Sequence, residues 1–232
     1  MRKYKHLFFD LDHTLWDLEK NSAETLSEIF TIHQLQKFGI SSLEAFTNKY
    51  SKVNEFMWEQ FRLGNIDKPT LRNGRFAITL QHFGVQDEMR LAKILADDYI
   101  SRSPDKTHLL PETKETLDYL KDGYSLYIIT NGFPEVQKRK LTASGLDTHF
   151  KNVFISEEIG IKKPEKGIFD FALKSTGAIA AEAIMIGDNY TIDIMGAKNS
   201  GIDQVWYNPK REVEVEKATY EIYSLGELKR IL

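Results

Sequence analysis

Asp10 and Asp12 sit two residues apart, directly after the apolar run Leu7-Phe8-Phe9. A short apolar run of this kind reads as a buried strand. Side chains alternate along a strand, so positions i and i+2 project to one side. In an open parallel sheet, ligands gather beyond the carboxyl ends of the strands. Two carboxylates placed there can divide a reaction between them: one attacks and holds a cation, the other moves a proton. Three more polar clusters end or follow apolar runs. Thr130-Asn131-Gly132 closes the run Tyr124–Thr130, Lys162-Lys163-Pro164 follows Val153-Phe154-Ile155, and Gly187-Asp188-Asn189, with Asp193 shortly after, follows Ala183–Ile186. Each has an ordinary structural reading on its own: a turn, a solvated lysine before a break, a capped helix start. Their order, each beyond a strand, is what points to chemistry.

The elements that must position these groups alternate along most of the chain. Strands are expected at 6–10, 124–130, 153–155, 183–186, 204–207 and, more weakly, 220–223. Helices are expected at 112–121, 134–144, 165–176 and 191–200, with a last one opened by the capping box Ser224 and Glu227. Such alternation implies βαβ units, hence a doubly wound, Rossmann-like parallel sheet with helices on both faces. One stretch breaks the pattern. From 18 to 104 the spacing is helical throughout: Leu26, Ile29, Phe30 and His33 share a stripe, as do Ala92, Leu95, Ala96 and Tyr99. Val53, Phe56, Met57 and Phe61 form another, and Leu80 with Phe83 a shorter one. Breaks are expected at Gly39, at Gly64–Pro69 and at Gly84. A βα connection usually takes about 2–6 residues, so this block reads as an inserted α-helical bundle, a cap over the carboxyl edge. The expected organisation is an α/β core of 1–17 and 105–232 with a cap of 18–104.

Composition narrows the function classes. The chain has 232 residues, 41% hydrophobic and 28% charged, with net charge −3. That balance gives no reason to expect a nucleic-acid polymer or a membrane surface as partner. With no cysteine, disulfides, thiolate nucleophiles and cysteine zinc sites are excluded. The basic start ahead of Asp10 carries too short an apolar run for a signal peptide, and a cytoplasmic location is the expectation. The cluster Lys138-Arg139-Lys140 reads as a solvated helix face.

In their chain order the four clusters resemble the four motifs of the haloacid dehalogenase-like hydrolase superfamily, and the insertion lies where its type-1 helical caps lie. Asp10, Asp12 and Thr14 match the first motif, Thr130 the second, Lys163 the third, and Asp188 with Asp193 the fourth. His13 departs from the pattern, since many members carry glycine there. The resemblance implies a phosphomonoester hydrolase with Asp10 as nucleophile, Asp12 as general acid and base, and Thr130 and Lys163 completing the catalytic set. It implies Mg²⁺ held by Asp10, the backbone carbonyl of Asp12 and Asp188, with Asp193 and Asn189 behind them, and phosphate contacts from the backbone around Asn131 and Gly132.

Among relatives, the run Phe9–Asp17 is most similar to small capped phosphatases acting on pyrimidine nucleoside 5′-monophosphates, including non-standard ones. The expected partner is therefore a small phosphorylated metabolite, with the protein a monomer or homodimer. Trp58, Phe61, Arg72, Arg75 and Phe76 are cap residues that could meet a base or ribose, or could simply serve the bundle. Alternatives on the same scaffold are a phosphatase for N-acylneuraminate 9-phosphate, phosphoglycolate or another small sugar phosphate, a phosphoglucomutase, a metal-free 2-haloacid dehalogenase, and a non-catalytic binding module. Asp12 and Asp188 speak against the dehalogenase. A signalling receiver, which also carries an acidic pocket, is much shorter and places its acceptor Asp after a middle strand.

Overall fold

The computed structural model describes residues 3–232; Met1 and Arg2, counted in the expected core, lie outside the described residues. The chain opens with β1 (His6–Phe9), then runs through four helices, α1 (Leu18–Ile32), α2 (Leu43–Arg62), α3 (Lys68–His82) and α4 (Glu88–Arg102). It continues with α5 (Thr113–Lys121), β2 (Ser125–Thr130), α6 (Pro134–Ser144), β3 (Asn152–Ile155), α7 (Ser156–Ile159) and α8 (Lys166–Thr176). The end is β4 (Ala183–Gly187), α9 (Met195–Asn199), β5 (Asp203–Tyr207), β6 (Tyr220–Ile222) and α10 (Leu228–Ile231). Two compact units result. One runs to Leu18 and resumes over Thr107–Leu232; the other is Glu19–Lys106. The sequence reading put these crossings at 17/18 and 104/105.

In the α/β unit the six strands are all parallel, in the order β3-β2-β1-β4-β5-β6. The strand order reverses between β1 and β4, which makes their carboxyl ends the place for a ligand crevice. Alternation along the strands sorts the core into two layers. Leu7, Phe9, Leu126, Ile128, Ile184, Ile186, Val205 and Tyr207 pack with Leu117 and Leu120 of α5, Leu141 of α6 and Leu228 of α10. Phe8, Tyr127, Ile129, Ala183 and Met185 pack with Ile168, Phe169 and Ala172 of α8 and Ala197 of α9. Burial on both faces is why these strands read as unbroken apolar runs.

The helical unit has its own core, built from Leu26, Ile29 and Phe30 of α1, Phe46 and Tyr50 of α2, Phe76 and Leu80 of α3, and Leu95 and Tyr99 of α4. Two readings of this region change. Phe56 is 52% exposed; the buried stripe of α2 is Phe46, Tyr50, Val53 and Met57, which keeps the helical period while leaving Phe56 off it. Pro69, expected as a break, lies in the first turn of α3, where Asp67 caps the helix by accepting from the Thr70 N–H. A missing N–H costs nothing in a first turn. In the α/β unit the helix expected at 191–200 begins as a π-helical turn over Tyr190–Ile194 before α9, and α7 was not foreseen. The capping box of Ser224 and Glu227 is present. Among the described residues no helix is long and apolar enough to cross a membrane.

Candidate active site

Asp10 and Asp188 each directly follow one of the two strands that flank the order reversal. The Asp10 N–H donates to the Ile186 carbonyl at 2.9 Å, so the β1–β4 pairing fixes where Asp10 stands. β1 itself ends at Phe9, so the strand expected over 6–10 stops before either acid. The two acids are accordingly not equivalent neighbours on one strand face; each is bonded to a different cation.

The Asp10 carboxylate accepts from Lys163 Nζ at 2.6 Å, and the same ammonium donates to Asp193 at 2.7 Å. Lys163 is 2% exposed. Asp10, Asp188 and Asp193 each present an oxygen, and these oxygens lie within 4.8 Å of one another. One ammonium thus faces three carboxylates. Burial pushes Asp10 up to about 7; Asp193 and Asp12 add to the rise and Lys163 opposes it. Burial likewise pushes Asp188 to about 7, with the charge of Asp10 next in importance, and Asp193 is also raised, chiefly by burial. Desolvation works against the Lys163 charge, but Asp10 and Asp193 outweigh it and hold the ammonium firmly protonated. An all-oxygen set of crowded, desolvated carboxylates fits a hard divalent cation such as Mg²⁺.

Thr14 fixes Asp188 from both sides. Its hydroxyl donates to the Asp188 carboxylate at 3.1 Å, and the Asp188 N–H donates back to it at 3.1 Å. The Trp206 indole N–H donates to the Asp188 carbonyl. Asn189 accepts from the Ile192 N–H and so caps the turn carrying Asp193, whose carboxylate takes the Asn189 N–H. Gly187 is required by close approach: a Cβ there would stand 2.4 Å from Asp193.

Asp12 has a separate set of partners, all on or beside α6. Lys140 Nζ donates to one carboxylate oxygen at 2.6 Å and Gln137 Nε2 to the other at 2.9 Å. Burial alone would push Asp12 up, but the Lys140 ammonium and these hydrogen bonds overcome it and hold the carboxyl below its usual range. This corrects the reading of Lys138-Arg139-Lys140 as a solvated face. Lys138 and Arg139 are exposed, whereas Lys140 is buried against the ring of Trp16, 4.2 Å from its centroid. Gln137, Lys140, Leu141 and Ser144 form the buried stripe of α6, so the helical spacing carried a signal that the charges hid.

Gln137 Nε2 also reaches Thr130 Oγ1 at 2.7 Å, and the Gly132 N–H donates to the same oxygen at 3.1 Å. Thr130 therefore accepts twice, and its O–H stays free to donate. The Gly132 N–H expected to meet phosphate is taken up by this bond. Asn131 is likewise engaged: its side chain brackets Lys163, accepting from the N–H and donating to the carbonyl at 2.9 Å each. It pins the lysine loop.

His13 adopts φ of +63°. Left-handed backbone of this kind is what glycine tolerates best. In the helical unit, Trp58 and Phe61 are half-buried and meet edge to face at 5.8 Å. Arg72 is half-buried and Phe76 is bundle core. Arg75 is buried, donates to Asn54 at 2.9 Å and lies against the rings of Tyr50 and Tyr99.

The chain is similar to known proteins over nearly its full length. The chain is 34% identical over 229 residues to the pyrimidine 5′-nucleotidase PynA of Streptococcus pneumoniae, covering 97% of this chain and 93% of that one. It is 30% identical to the pyrimidine 5′-nucleotidase YjjG of Escherichia coli, covering 99% and 98%. The magnesium-bound crystal structure of the HAD-hydrolase YfnB from Bacillus subtilis superposes with a TM-score of 0.89 at 29% identity, covering 99% of both chains. A family profile described as haloacid dehalogenase-like hydrolase matches residues 4–201. On that match, spanning most of the chain, the protein belongs to the haloacid dehalogenase-like hydrolases.

Proposed function

We propose that the protein is a Mg²⁺-dependent phosphomonoester hydrolase that works through an aspartyl-phosphate on Asp10, with pyrimidine nucleoside 5′-monophosphates as substrates. The observation that carries the reading is the pair of acids with opposite environments: Asp10 in a carboxylate cluster beside Lys163, Asp12 held apart by Lys140 and Gln137. A phosphate monoester dianion repels a carboxylate, so the reaction needs charge neutralisation before anything else. Asp10, Asp188 and the backbone carbonyl of Asp12, with Asp193 behind, would hold Mg²⁺, which would supply part of that positive charge. Lys163 supplies the rest.

Asp10 forms a bond to phosphorus as the ester P–O bond breaks, and Asp12 protonates the departing oxygen. The incoming dianion raises Asp12 from its depressed value, so the proton is taken up as substrate binds. Left deprotonated, Asp12 then draws a proton from the water that attacks the aspartyl-phosphate, releasing phosphate and restoring Asp10. Thr130 donates its free O–H to a phosphoryl oxygen. A phosphate-release screen with Mg²⁺ over nucleotides, sugar phosphates and small phospho-acids tests the substrate. The expected preference is for UMP, dUMP or dTMP. Preference for a sugar phosphate or phosphoglycolate removes the nucleotidase reading and leaves the chemistry, whereas halide release from a 2-haloacid without Mg²⁺ removes both.

Within the helical unit, Arg75 is a buried cation. Its Nε is buried with no hydrogen-bond partner, and no carboxylate pairs with it among the described residues. A buried cation without a counter-charge is expensive, and replacement by an apolar side chain commonly stabilises a fold. Arg75→Met should therefore raise Tm by about 2–4 °C per kcal/mol gained, read by thermal unfolding. A fall in Tm would mean that the lost contacts with Asn54, Tyr50 and Tyr99 outweigh the relieved burial.

A further inference from the structure

We propose that Lys140, together with Gln137, is a positioning residue that holds the Asp12 carboxyl in the one orientation from which it can hand a proton to the leaving oxygen. The proposal rests on the hydrolase reading above, and the Asp12 variant below separates the failure of one from the failure of the other.

The two donors grip the carboxyl at both ends, Lys140 on one oxygen at 2.6 Å and Gln137 on the other at 2.9 Å. Rotation about the Cβ–Cγ bond would break both at once. The Asp12 side chain remains 24% exposed and that of Lys140 only 5%, so the acid opens outward while its holder is sunk behind it. The holder is itself fixed. Its ammonium lies over the fully buried ring of Trp16, and α6 presents it on the same stripe as Gln137.

Taking an ammonium out of water costs several kcal/mol, and a well-packed apolar side chain usually serves the fold as well or better. The two preceding basic residues of α6 stay in solvent, whereas this one is buried between Asp12 and the Trp16 ring. Gln137 adds a second link. Its amide also donates to Thr130 at 2.7 Å, so one side chain sets the separation between the proton donor and the hydroxyl that meets the phosphoryl group. Proton transfer depends steeply on such placement.

The test compares two esters by kcat/KM, which reports the steps up to departure of the leaving group. Uridine 5′-monophosphate loses an alkoxide that needs a proton; p-nitrophenyl phosphate loses a phenolate that does not. With Mg²⁺ present, Lys140→Met should lower kcat/KM on the nucleotide by at least about tenfold and on the aryl ester by less than about threefold. Added to Asp12→Asn, it should cause no further loss, because its effect runs through that carboxyl. Equal losses on both esters, or full additivity in the double variant, would overturn the positioning role. If Asp12→Asn itself shows no discrimination between the esters, the acid role fails first and the proposal falls with it. Gln137→Leu removes the other half of the grip and the Thr130 bond with it, so it should slow both esters but the nucleotide at least about threefold more than the aryl ester; that ratio keeps the test decisive should Lys140→Met not fold.

Discussion

Asp10→Asn should reduce phosphate release on the order of 10⁴-fold or more, the scale of loss when a covalent nucleophile is removed. The substitution keeps the shape of the side chain, and asparagine's amide oxygen is not a nucleophile of comparable strength. It also thins the negative charge of the cluster formed by Asp10, Asp188 and Asp193, while Lys163 keeps its bond to Asp193. The variant should therefore stay folded, so that lost activity is a statement about chemistry. Rapid acid quench of a reacting wild-type sample should trap phosphate covalently on the protein, and the same quench of the variant should trap none. Wild-type rates from purified Asp10→Asn protein would show that a different group attacks phosphorus, and the roles given to Asp12 and Thr130 would then need reassignment.

The parts of this arrangement that were legible in the sequence are those where a buried strand stops and a polar group takes over. Leu7-Phe8-Phe9 and Ala183–Ile186 are apolar on both faces because helices cover both faces, so their ends stand out, and Asp10 and Asp188 stand at those ends. The exact end of β1 was not legible, since it is set by pairing with β4 at Phe9 and Ile186. Lys140 was missed for a different reason. In the run Lys138-Arg139-Lys140 three similar charges hide the one that turns inward, and only its spacing from Gln137, Leu141 and Ser144 separates it. Phe56 shows the converse error, an aromatic that matches a helical spacing but lies off the stripe that Tyr50 and Met57 define. The use of the Gly132 N–H by Thr130 could not be read at all, because it depends on Gln137 crowding the loop: a Cβ at Gly132 would stand 2.4 Å from that side chain.

Lys163→Met should cost about 3–5 kcal/mol of stability near pH 8, the usual consequence of removing one partner from a buried charged set. Lys163 is the ammonium bonded to both Asp10 and Asp193, and without it the buried carboxylates repel one another with nothing between them. Protonation offers them a way out, which fixes the sign of the pH dependence. Asp10 and Asp188 already titrate at about 7 in the folded protein, above the ordinary carboxylate value of 3.8. Acids raised in this way make the fold lose stability as pH climbs from the unfolded value through the folded one. The deficit of Lys163→Met should thus be larger at about pH 8 than at about pH 6. Mg²⁺ should act in the opposite sense. It stabilises whichever state binds it, and its ligands must shed their protons first, so its gain in the wild type should grow over the same interval. Urea unfolding of both proteins at the two pH values, with and without Mg²⁺, reads all four quantities. Equal stability of variant and wild type near pH 8 would mean that the lysine is not what keeps the carboxylates together, and no response of the wild type to Mg²⁺ at either pH would mean that the cluster is not built to receive the ion.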